Sequence, residues 1–269
     1  MKEKAWRRNR MARQERETQY LSTVKNALRI LNSFSMEQPE LRVSDLAASL
    51  GLNKSAVSRL LSTLASEGYV VKDPETQKYR LGLRILTLNS IVTSNLEINR
   101  EARPVLRKLV QEIGEAAHIA VLEGNEVVYL EQVESQHHVR ILSYVGRRNP
   151  IHCTSSGKVM LAFQHPDFIE NFLKQRLERY TSATVTDPDV LRRQLEEIRA
   201  TDFCSSVGEF LPDVVSFASP VRDYTKKVIA AVSVIGPRHR IKSQQYPVIK
   251  NKVIKAAREI SRNLGYYHA

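Results

Sequence analysis

Cysteine and long apolar segments are scarce in this sequence, and their scarcity excludes several classes of protein. The 269 residues include two cysteines, Cys153 and Cys204, which are too few for a disulfide framework and lack the CxxC spacing of a zinc site. No apolar run approaches the roughly 18 residues of a membrane-spanning helix, and no apolar segment follows the basic N-terminus as it would in a signal peptide. We therefore predict a cytoplasmic protein with free, buried thiols and no membrane segment.

The sequence also lacks complete catalytic and metal-binding motifs. Ser155 begins an SxxK sequence like that of penicillin-recognising acyl enzymes, but the accompanying SDN and KTG motifs are absent. The overlapping SGK sequence lacks both the upstream glycine and the following hydroxyl of a phosphate-binding loop, and neither GxSxG nor HExxH occurs. The pairs His137-His138 and His152-Cys153 would point to opposite faces of a strand, which makes them poor joint metal ligands. No enzyme, cofactor or metal site is predicted.

Basic residues are concentrated towards the N-terminus. The chain has 41 Lys and Arg against 29 Asp and Glu, a net charge of +12. Residues 1–95 contain 16 basic and 9 acidic side chains, whereas residues 96–269 contain 25 and 20. The first third is therefore more than twice as basic per residue, which favours a polyanionic partner such as nucleic acid. Residues 1–20 are predicted to form a basic mobile arm that either lies along DNA or stays solvated.

The stretch from residue 43 to residue 80 has the pattern of a helix-turn-helix. Ser44 is the predicted N-cap of a first helix, Gly51 permits a tight bend, and Asn53 is the predicted cap of a second helix. Two short helices across a glycine turn are typical of this motif. An amphipathic segment at residues 23–34, with Val24 and Leu28 on its apolar side, is predicted to back the pair as a first core helix. The second helix has apolar residues at the i, i+3, i+4, i+7 spacing of one face: Val57, Leu60, Leu61 and Leu64.

The opposite face of the second helix is polar, and positions 53 to 66 contain no acidic residue. Cations and hydroxyls on such a face suit a major groove lined by acceptors and flanked by phosphates. Gly68 ends the helix, and two short strands around a turn at Asp73 form a hairpin that would act as a wing near DNA phosphates. The alternative is a helical packing unit with a solvated face. Arg59 is expected to contact a guanine, and the predicted DNA contacts are Ser44, Asn53, Lys54, Ser55, Ala56, Ser58, Arg59, Ser62, Thr63, Lys72, Lys78 and Arg80.

The rest of the chain has the pattern of a mixed domain. An apolar helical stretch at residues 83–94 is predicted to pack against a second subunit or its own DNA-binding domain, and Pro104 is predicted to open another helix. Strands are predicted at 118–122, 127–130, 139–145, 214–221 and 228–235, with a break at 146–150. Helices are predicted at 157–163, 167–177 and 188–199, and from about residue 247. This order indicates an α+β domain with an antiparallel sheet.

Five stretches of the sequence together resemble the isocitrate lyase regulator (IclR) family of bacterial transcription factors. They are AxxIL at 27–31, LAASLGLNKSAVSRLLSTL at 46–64, GYVVKDPETQKYRLG at 68–82, GRRNPIHCTSSGKVMLA at 146–162, and GEFLPDVVSFASPV with IAAVSVIGP at 208–237. The resemblance covers most of the chain. It implies a winged helix, a linker helix that dimerises, and a GAF-like C-terminal domain that binds a small effector, usually a metabolite acid, and often assembles dimers into tetramers.

The same resemblance implies an effector site between the helix at Gly157 and the last two strands. Backbone N–H groups beside serine hydroxyls at that helix start can hold a carboxylate. The alternative is that Ser155 caps the helix and that Ser216 and Ser233 are satisfied hydroxyls within the sheet. The residues implied at the site are Ile141, Ser155, Ser156, Glu209, Ser216, Ser233 and Ile235.

Together these observations predict an α+β protein of two domains. The winged helix-turn-helix, all-α apart from its wing, would occupy residues 21–82, and a linker helix at 83–103 would join it to a GAF-like α/β effector domain at 104–269. We predict a sequence-specific DNA-binding regulator, a repressor of a catabolic operon, in which a homodimer or homotetramer binds a palindromic operator and a small organic acid gates that binding. Two other interpretations stay open: a metabolite-binding sensor or enzyme with a vestigial DNA-binding domain, and a nonspecific nucleic-acid architectural protein.

Overall fold

The chain folds as two compact units that divide between Val92 and Thr93. The computed structural model describes residues 21–94, 97–135, 137 and 143–267, so the predicted arm at residues 1–20 lies outside the described residues. The predicted fold class, two domains of α+β type with the helix-turn-helix first, is confirmed by the order of the elements and the antiparallel sheet.

The N-terminal unit is a helix-turn-helix followed by a two-stranded wing. Its elements are α1 (Ser22–Leu31), α2 (Val43–Leu50), α3 (Lys54–Ser66), β1 (Val70–Lys72), β2 (Tyr79–Leu81) and α4 (Arg84–Ser94). The strands β1 and β2 pair antiparallel. The buried residues at its centre are Ile30, Leu46, Ala47, Val57, Leu61, Val70 and Tyr79. Because α1, α2, α3 and both strands contribute to this core, the wing is held against the helices.

The predicted glycine turn and the predicted cap of α3 are confirmed. Gly51 follows α2 with a φ of +66°, a left-handed conformation that glycine adopts without steric cost. Asn53 caps α3, because its Oδ1 accepts a hydrogen bond of 2.7 Å from the Ala56 N–H. Gly68 lies just after the helix with a φ of +75°. The local sequence therefore determines where α3 begins and ends.

The predicted N-cap of α2 is wrong. Ser44 is the second residue of the helix, which begins at Val43. The Asp45 carboxylate instead accepts the Arg42 N–H at 3.2 Å. A carboxylate in the first helical turn also interacts favourably with the partial positive charge of that end, so Asp45 stabilises the start of α2.

Helices α1 and α4 leave apolar side chains at the surface of the N-terminal unit. Ile30 of α1 is fully buried, but Val24 and Leu28 are 53% and 56% exposed. The prediction that this side of α1 backs the helix-turn-helix therefore holds only in part. Further exposed apolar residues lie on α4 and just before it: Leu83, Leu86, Leu88 and Ile91. The apolar pattern of both helices predicts burial that the unit by itself does not supply.

The C-terminal unit is built on one antiparallel sheet. Its strands β3 (Ala116–Glu123), β4 (Glu126–Val133), β5 (Arg148–Pro150), β6 (Cys204–Val207), β7 (Val214–Arg222) and β8 (Val228–Pro237) have the spatial order β5-β4-β3-β8-β7-β6. The helices are α5 (Glu97–Ile113), α6 (Ser155–Ala162), α7 (Pro166–Leu173), α8 (Pro188–Thr201) and α9 (Tyr246–Asn263). Because β3 and β8 are neighbours at the centre, the sheet joins the first and last strands of the unit.

Helices cover both faces of this sheet. The helices α5 and α9 pack on one face, over a core that includes Leu106 and Phe217. The helices α6, α7 and α8 pack on the other face, over a core that includes Leu161 and Ala218. Successive residues of a strand point to opposite faces, so the neighbours Phe217 and Ala218 belong to different cores.

Pro104 does not open a helix, contrary to the prediction. It lies inside α5, which begins at Glu97. A proline within a helix leaves the carbonyl four residues earlier, here on Arg100, without its N–H partner. Both residues are exposed, so water can hydrogen-bond to that carbonyl. The helix therefore passes through a residue that usually marks a helix start.

Two short strands of the C-terminal unit, β5 and β6, were not predicted, and residues 139–142 of the predicted strand at 139–145 lie outside the described residues. Residues 143–145, the end of the predicted strand at 139–145, are irregular, whereas the predicted break contains β5. Gly146 turns the chain with a φ of +87°, and Pro150 is tolerated because β5 is an edge strand. The strand β6 has the sequence CSSV, which lacks the apolar alternation by which a strand is recognised.

Candidate DNA interface and ligand cavity

The polar face of α3 is exposed, as the sequence predicts. The hydroxyls of Ser62 and Thr63 donate to the carbonyl oxygens of Ser58 and Arg59 at 3.0 and 3.1 Å. Their oxygen lone pairs stay available to an outside donor, while Lys54 and Arg59 supply positive charge. Such a face suits the phosphates and base edges of a major groove. The exposed residues are Asn53, Lys54, Ser55, Ser58, Arg59, Ser62 and Thr63, and Ala56 is half-buried.

Three further predicted DNA contacts, Ser44, Asn53 and Ser55, form hydrogen bonds at the starts of the two helices. Ser55 Oγ donates at 2.9 Å to Asn53 Oδ1, the same oxygen that caps α3. Ser44 is half-buried and donates at 3.1 Å to Asp45 Oδ1. These side chains therefore organise the starts of α2 and α3, and Lys54 beside them is exposed to solvent.

The wing presents its basic side chains around a turn that Asp73 stabilises. Its Oδ1 accepts the Thr76 N–H at 2.8 Å, and this backbone hydrogen bond to the charged form lowers the pKa of the carboxyl. Lys78 is half-buried, and its Nζ lies 3.7 Å from Glu40 Oε2. An exposed ion pair of this length contributes little, so a phosphate can replace the glutamate. The other two predicted wing contacts, Lys72 and Arg80, are exposed.

A cavity lies between the start of α6 and the sheet in the C-terminal unit, and the empty space there, with open solvent included, is about 540 Å³. Six of the residues that the resemblance implied line it: Ser155, Ser156, Glu209, Ser216, Ser233 and Ile235. The remaining one, Ile141, lies outside the described residues. Lining residues that the sequence did not reveal include Tyr129, Ser143, Arg147, Asn149 and Phe210. The fold thus brings together side chains from a helix, four strands and two loops.

The start of α6 supplies backbone donors to this cavity. Thr154 is the N-cap, because its Oγ1 accepts the Gly157 N–H at 3.2 Å and donates to the Pro150 carbonyl oxygen at 2.7 Å. The alternative in which Ser155 caps the helix is therefore wrong. The N–H groups of Ser155 and Ser156 precede the internal hydrogen bonds of the helix. Because a helix N-terminus also carries partial positive charge, this end of the cavity favours an anion.

A buried ion pair lies beside the cavity. The Lys158 ammonium is 2.7 and 2.6 Å from the two carboxylate oxygens of Glu209 and 2.8 Å from Gln194 Oε1. The Lys158 side chain is 1% exposed, so water does not screen the pair. The lining residues that carry a formal charge are Glu209, which Lys158 neutralises, and Arg147.

His118 is a buried, uncharged side chain behind the cavity wall. Its Nε2 lies 2.9 Å from Ser143 Oγ, and its ring stacks on Tyr129 with 4.3 Å between the ring centroids. Burial, with a smaller effect of the positive charge of Arg147, lowers the pKa of His118 to about 3. Burial raises the pKa of Tyr129 to about 12. Both rings are therefore neutral around pH 7.

The cavity residues that the sequence missed have no local signal of their role. Arg147 belongs to the GRRNP sequence and Tyr129 to a strand that was predicted correctly, yet neither pattern shows which side chains meet. His118 and Ser143 are 25 residues apart, and Lys158 and Glu209 are 51 apart. The one available hint was Arg147 itself, a cation close to the TSSGK sequence in a segment expected to be a loop.

The two cysteines are free and buried, as predicted. Burial raises the pKa of both Cys153 and Cys204 to about 12, so both side chains are thiols. His152 Nε2 lies 2.8 Å from the Glu178 carbonyl oxygen, and the described residues contain no group of three or more His, Cys, Asp or Glu that could hold a metal ion. Among the helices in the described ranges, none combines the length and the hydropathy needed to cross a membrane.

Together the two units define a winged helix-turn-helix protein whose second unit contains a cavity beside a helix start. The chain belongs to the IclR family of bacterial transcriptional regulators. Residues 90–262 match the family described as "Bacterial transcriptional regulator IclR C-terminal", and residues 23–74 match the "IclR helix-turn-helix domain". Its general role is accordingly that of a helix-turn-helix transcriptional regulator.

Several known proteins are similar along nearly the whole chain. The transcriptional regulator KipR of Bacillus subtilis is 31% identical over 245 residues, which are 91% of this chain and 97% of KipR. The transcriptional repressor AllR of Klebsiella pneumoniae is 30% identical over 96% of both chains. The crystal structure of an IclR homolog from Microbacterium hydrocarbonoxydans, complexed with 4-hydroxybenzoate, is 28% identical, covers 90% of this chain and 98% of its own, and superposes with a TM-score of 0.80.

Proposed function

We propose that this chain is a sequence-specific DNA-binding repressor of a catabolic operon, acting in the cytoplasm, whose operator binding is gated by a small carboxylate. The observation that carries the proposal is the combination, in one chain, of an exposed acid-free face on α3 and a cavity with an anion-favouring end. The alternative of a nonspecific DNA-binding protein does not explain the cavity. The alternative of a sensor without a DNA target does not explain the exposed, acid-free face of α3.

Base recognition is assigned to α3 and phosphate contact to its flanks. Arg59 is exposed near the middle of the helix, and a guanidinium there can make two parallel hydrogen bonds to a guanine. Lys54 at the helix start, with Lys72 and Arg80 on the wing, suits the phosphates on either side of the groove. The hydroxyls of α3 then select among the remaining base edges.

The cavity is assigned to a carboxylate by its charge and its donors. The Ser155 and Ser156 N–H groups can donate to the two oxygens of one carboxylate, and Arg147 supplies the opposite charge. The pair Lys158 and Glu209 adds no net charge to the site. The complex of the Microbacterium homolog with 4-hydroxybenzoate, a carboxylic acid, supports this class of ligand.

A second copy of the chain is proposed to cover the apolar surface of α1 and α4. The exposed side chains there include Leu28, Leu86 and Ile91, and an apolar surface of this kind marks a site of association. A homodimer would present two copies of α3 to the two halves of a palindromic operator. Association of two such dimers would give the homotetramer.

The ligand can gate DNA binding only if its affinity differs between two relative poses of the paired α3 helices. We propose that the pose with ligand bound does not match the spacing of the operator, so that the acid releases the repressor. The name of AllR as a repressor supports this direction. Accumulation of the acid would then switch on the genes that consume it.

The test is binding of the purified chain, at fixed physiological salt, to its own upstream DNA and to a scrambled duplex of equal length. Each measurement is made with and without a panel of small carboxylic acids. Salt is fixed because phosphate contacts make affinity steeply salt-dependent. We expect the upstream DNA to bind at least about 1,000-fold more tightly than the scrambled duplex, and one class of acid to weaken that binding.

The outcomes separate the competing interpretations. Equal binding to both duplexes would favour an architectural nucleic-acid protein. A preference for upstream DNA that no acid changes would support specific DNA binding by the N-terminal unit. It would contradict the proposal that the cavity binds an acid that controls DNA binding. Turnover of an acid that disappears in Ser155→Ala would favour an enzyme.

A further inference from the structure

A groove beside the last helix, α9, is lined by basic and aromatic side chains and, among the described residues, by no acidic one. Its basic members are Lys255, Arg258 and Arg262, and its aromatic members are Tyr266 and Tyr267. The basic residues follow one another at i, i+3 and i+7, so they lie on one face of the helix, and all three are exposed. None of these five residues lines the cavity at the start of α6, so the α9 groove is a separate candidate site.

The other charged side chains of α9 are directed to partners within the chain. Lys250 Nζ lies 5.1 Å from the centroid of the Phe203 ring, and Lys252 Nζ lies 3.3 Å from Glu112 Oε2. Glu259, the one acidic residue of α9, lines a different groove, between α9 and α5. The side chains of the three groove cations, by contrast, have no ion-pair or hydrogen-bond partner in the described part of the chain. Positive charge is therefore left unbalanced along the α9 groove.

This arrangement of cations costs helix stability. Arg258 lies three residues after Lys255 and four before Arg262, and like charges at these spacings repel each other. The partial negative charge at the end of α9 favours Arg262, which lies in the last turn, but the effect falls off within that turn and does not extend to Lys255. A bound anion would offset the repulsion, so the three cations indicate an anionic ligand.

The length of the basic row favours a chain of phosphates over a single anionic group. Seven residues separate Lys255 from Arg262, which is about 10.5 Å along a helix. A guanidinium binds a phosphate through two parallel hydrogen bonds, and a lysine ammonium adds a point charge. Successive phosphates of one ligand can each meet a cation of this row, whereas one carboxylate is too small to contact all three.

An exposed aromatic ring lies at one end of this row. Gly265 follows α9 with a φ of +82°, and its N–H donates to the Arg262 carbonyl oxygen at 2.9 Å. The segment is held further by Tyr266, whose ring centroid lies 5.9 Å from Arg222 Cζ. The next residue, Tyr267, is 73% exposed. A tyrosine ring in this position can stack on a nucleobase.

We propose that the α9 groove binds a nucleoside triphosphate, with its phosphate chain on Lys255, Arg258 and Arg262 and its base stacked on Tyr267. The order of the lining groups, a ring followed by cations, matches the order of base and phosphates in a nucleotide. The bases of a duplex are stacked within it, so duplex DNA would leave Tyr267 without a partner. The inference goes beyond the proposed function, because the α9 groove and the acid cavity share no lining residue.

The test is isothermal titration calorimetry of the full chain, at fixed physiological salt, with ATP, GTP, tripolyphosphate and adenosine. We expect both nucleotides to bind at least about fivefold more tightly than tripolyphosphate, because stacking of the base adds to the phosphate contacts. Adenosine should bind at least about 100-fold more weakly than ATP, because it lacks the charged groups that the cations recognise.

Variants of exposed residues assign this binding to the α9 groove. Arg258→Gln and Arg262→Gln are each expected to lower the affinity for ATP at least about tenfold. Tyr267→Ala should lower the affinity for ATP to that for tripolyphosphate, which itself should change by less than about twofold. The matched control is Lys252→Gln, which removes the same charge from the same helix but from a side chain paired with Glu112 outside the groove. It should leave the affinity for ATP within about twofold.

The outcomes either support or overturn the inference. Loss of ATP affinity in Arg258→Gln and Arg262→Gln but not in Lys252→Gln supports it. It is overturned if neither nucleotide binds, if the arginine variants bind ATP as the wild type does, or if tripolyphosphate binds as tightly as ATP. Displacement of ATP by a single-stranded oligonucleotide at a lower concentration of phosphate groups would also overturn it, in favour of a nucleic-acid contact. The proposed function is tested by operator binding, so failure of the one is distinguishable from failure of the other.

Discussion

The Lys158 ammonium contacts both carboxylate oxygens of Glu209, at 2.7 and 2.6 Å, although 51 residues separate the two along the chain. Lys158 projects from α6, the helix whose start faces the cavity, and Glu209 lies in the loop after β6. The pair therefore ties that loop to the helix start. It also removes a carboxylate charge from the cavity, which would otherwise repel an anionic ligand.

Replacing one partner of this pair should strongly destabilise the protein. Lys158→Met leaves the Glu209 carboxylate buried without a counter-charge, and we expect the free energy of unfolding to fall by about 3 to 5 kcal/mol. The measurement is chemical denaturation of the full chain. The control is Arg148→Ala, which breaks an exposed pair with Glu123 and should cost at most about 1 kcal/mol. The double variant Lys158→Met/Glu209→Gln should recover part of the loss, and no recovery would contradict the pairing argument.

Arg59→Ala tests base recognition by α3. Loss of a bidentate guanine contact should weaken operator binding by about 1 to 3 kcal/mol and relax the preference for one base position. Lys72→Ala on the wing is the comparison, and it should weaken all duplexes alike and reduce the salt dependence by about one phosphate contact. Binding to a library of operator variants measures both effects. If Arg59→Ala weakened every sequence equally, Arg59 would be a phosphate contact.

Arg147→Gln tests the charge assignment in the cavity. Without the guanidinium, a carboxylate keeps only the N–H groups of α6, and its affinity should fall about tenfold to 100-fold, because hydrogen bonds to charged partners contribute about 1.5 to 3 kcal/mol. DNA binding without acid should be unchanged. Calorimetry with the acid identified in the DNA assay gives the first value, and the DNA assay itself gives the second. An unchanged acid affinity would remove Arg147 from the site.

Leu86→Asp tests the apolar surface of α4. Leu86 is 60% exposed, so an aspartate there should leave the folded unit intact but raise the dissociation constant of the dimer at least about tenfold. Sedimentation at micromolar concentrations measures the association. The control is Tyr224→Asp, which changes another exposed side chain in the other unit. Equal association of both variants would place the dimer contact elsewhere.

His118 predicts a pH dependence of stability. Its pKa is lowered from 6.5 to about 3 in the folded chain, so between these values the unfolded chain binds more protons. Stability should therefore fall as the pH drops below 6.5, with this residue contributing at most about 1.4 kcal/mol per pH unit. Denaturation at several pH values should show a flatter dependence in His118→Phe than in wild type.

Local sequence was sufficient for the elements whose signals are local. Gly51, Asn53 and Gly68 set the boundaries of α3 through backbone conformation and a side-chain cap, which depend on a few neighbouring residues. The prediction that Pro104 opens a helix was wrong because a helix can contain a proline where the carbonyl that loses its N–H partner is exposed to water. The strands β5 and β6 were missed because a short edge strand needs little apolar alternation when it pairs with a longer neighbouring strand.

The cavity was only partly accessible from the sequence. Ser155 and Ser156 could be placed because the family resemblance and the helix start coincide there. Arg147, Ser143 and His118 could not, because their role arises from distant strands and loops that meet only in the folded chain. The apolar periodicity of α1 and α4 indicates burial without showing which surface provides it, so the prediction that 83–94 packs against a second subunit or its own DNA-binding domain stays a prediction.

Thr154 restricts how the ligand preference of this architecture can change over evolution. Its hydroxyl holds the start of α6 by bonds to Pro150 and Gly157, and a Cβ at Gly157 would meet the Ile151 Cα at 2.4 Å. Mutation at this end of the cavity is therefore penalised through folding before it can alter ligand choice. The sheet side carries no such constraint at Ser233. New ligand specificities are expected to arise there, while the anion end is inherited unchanged.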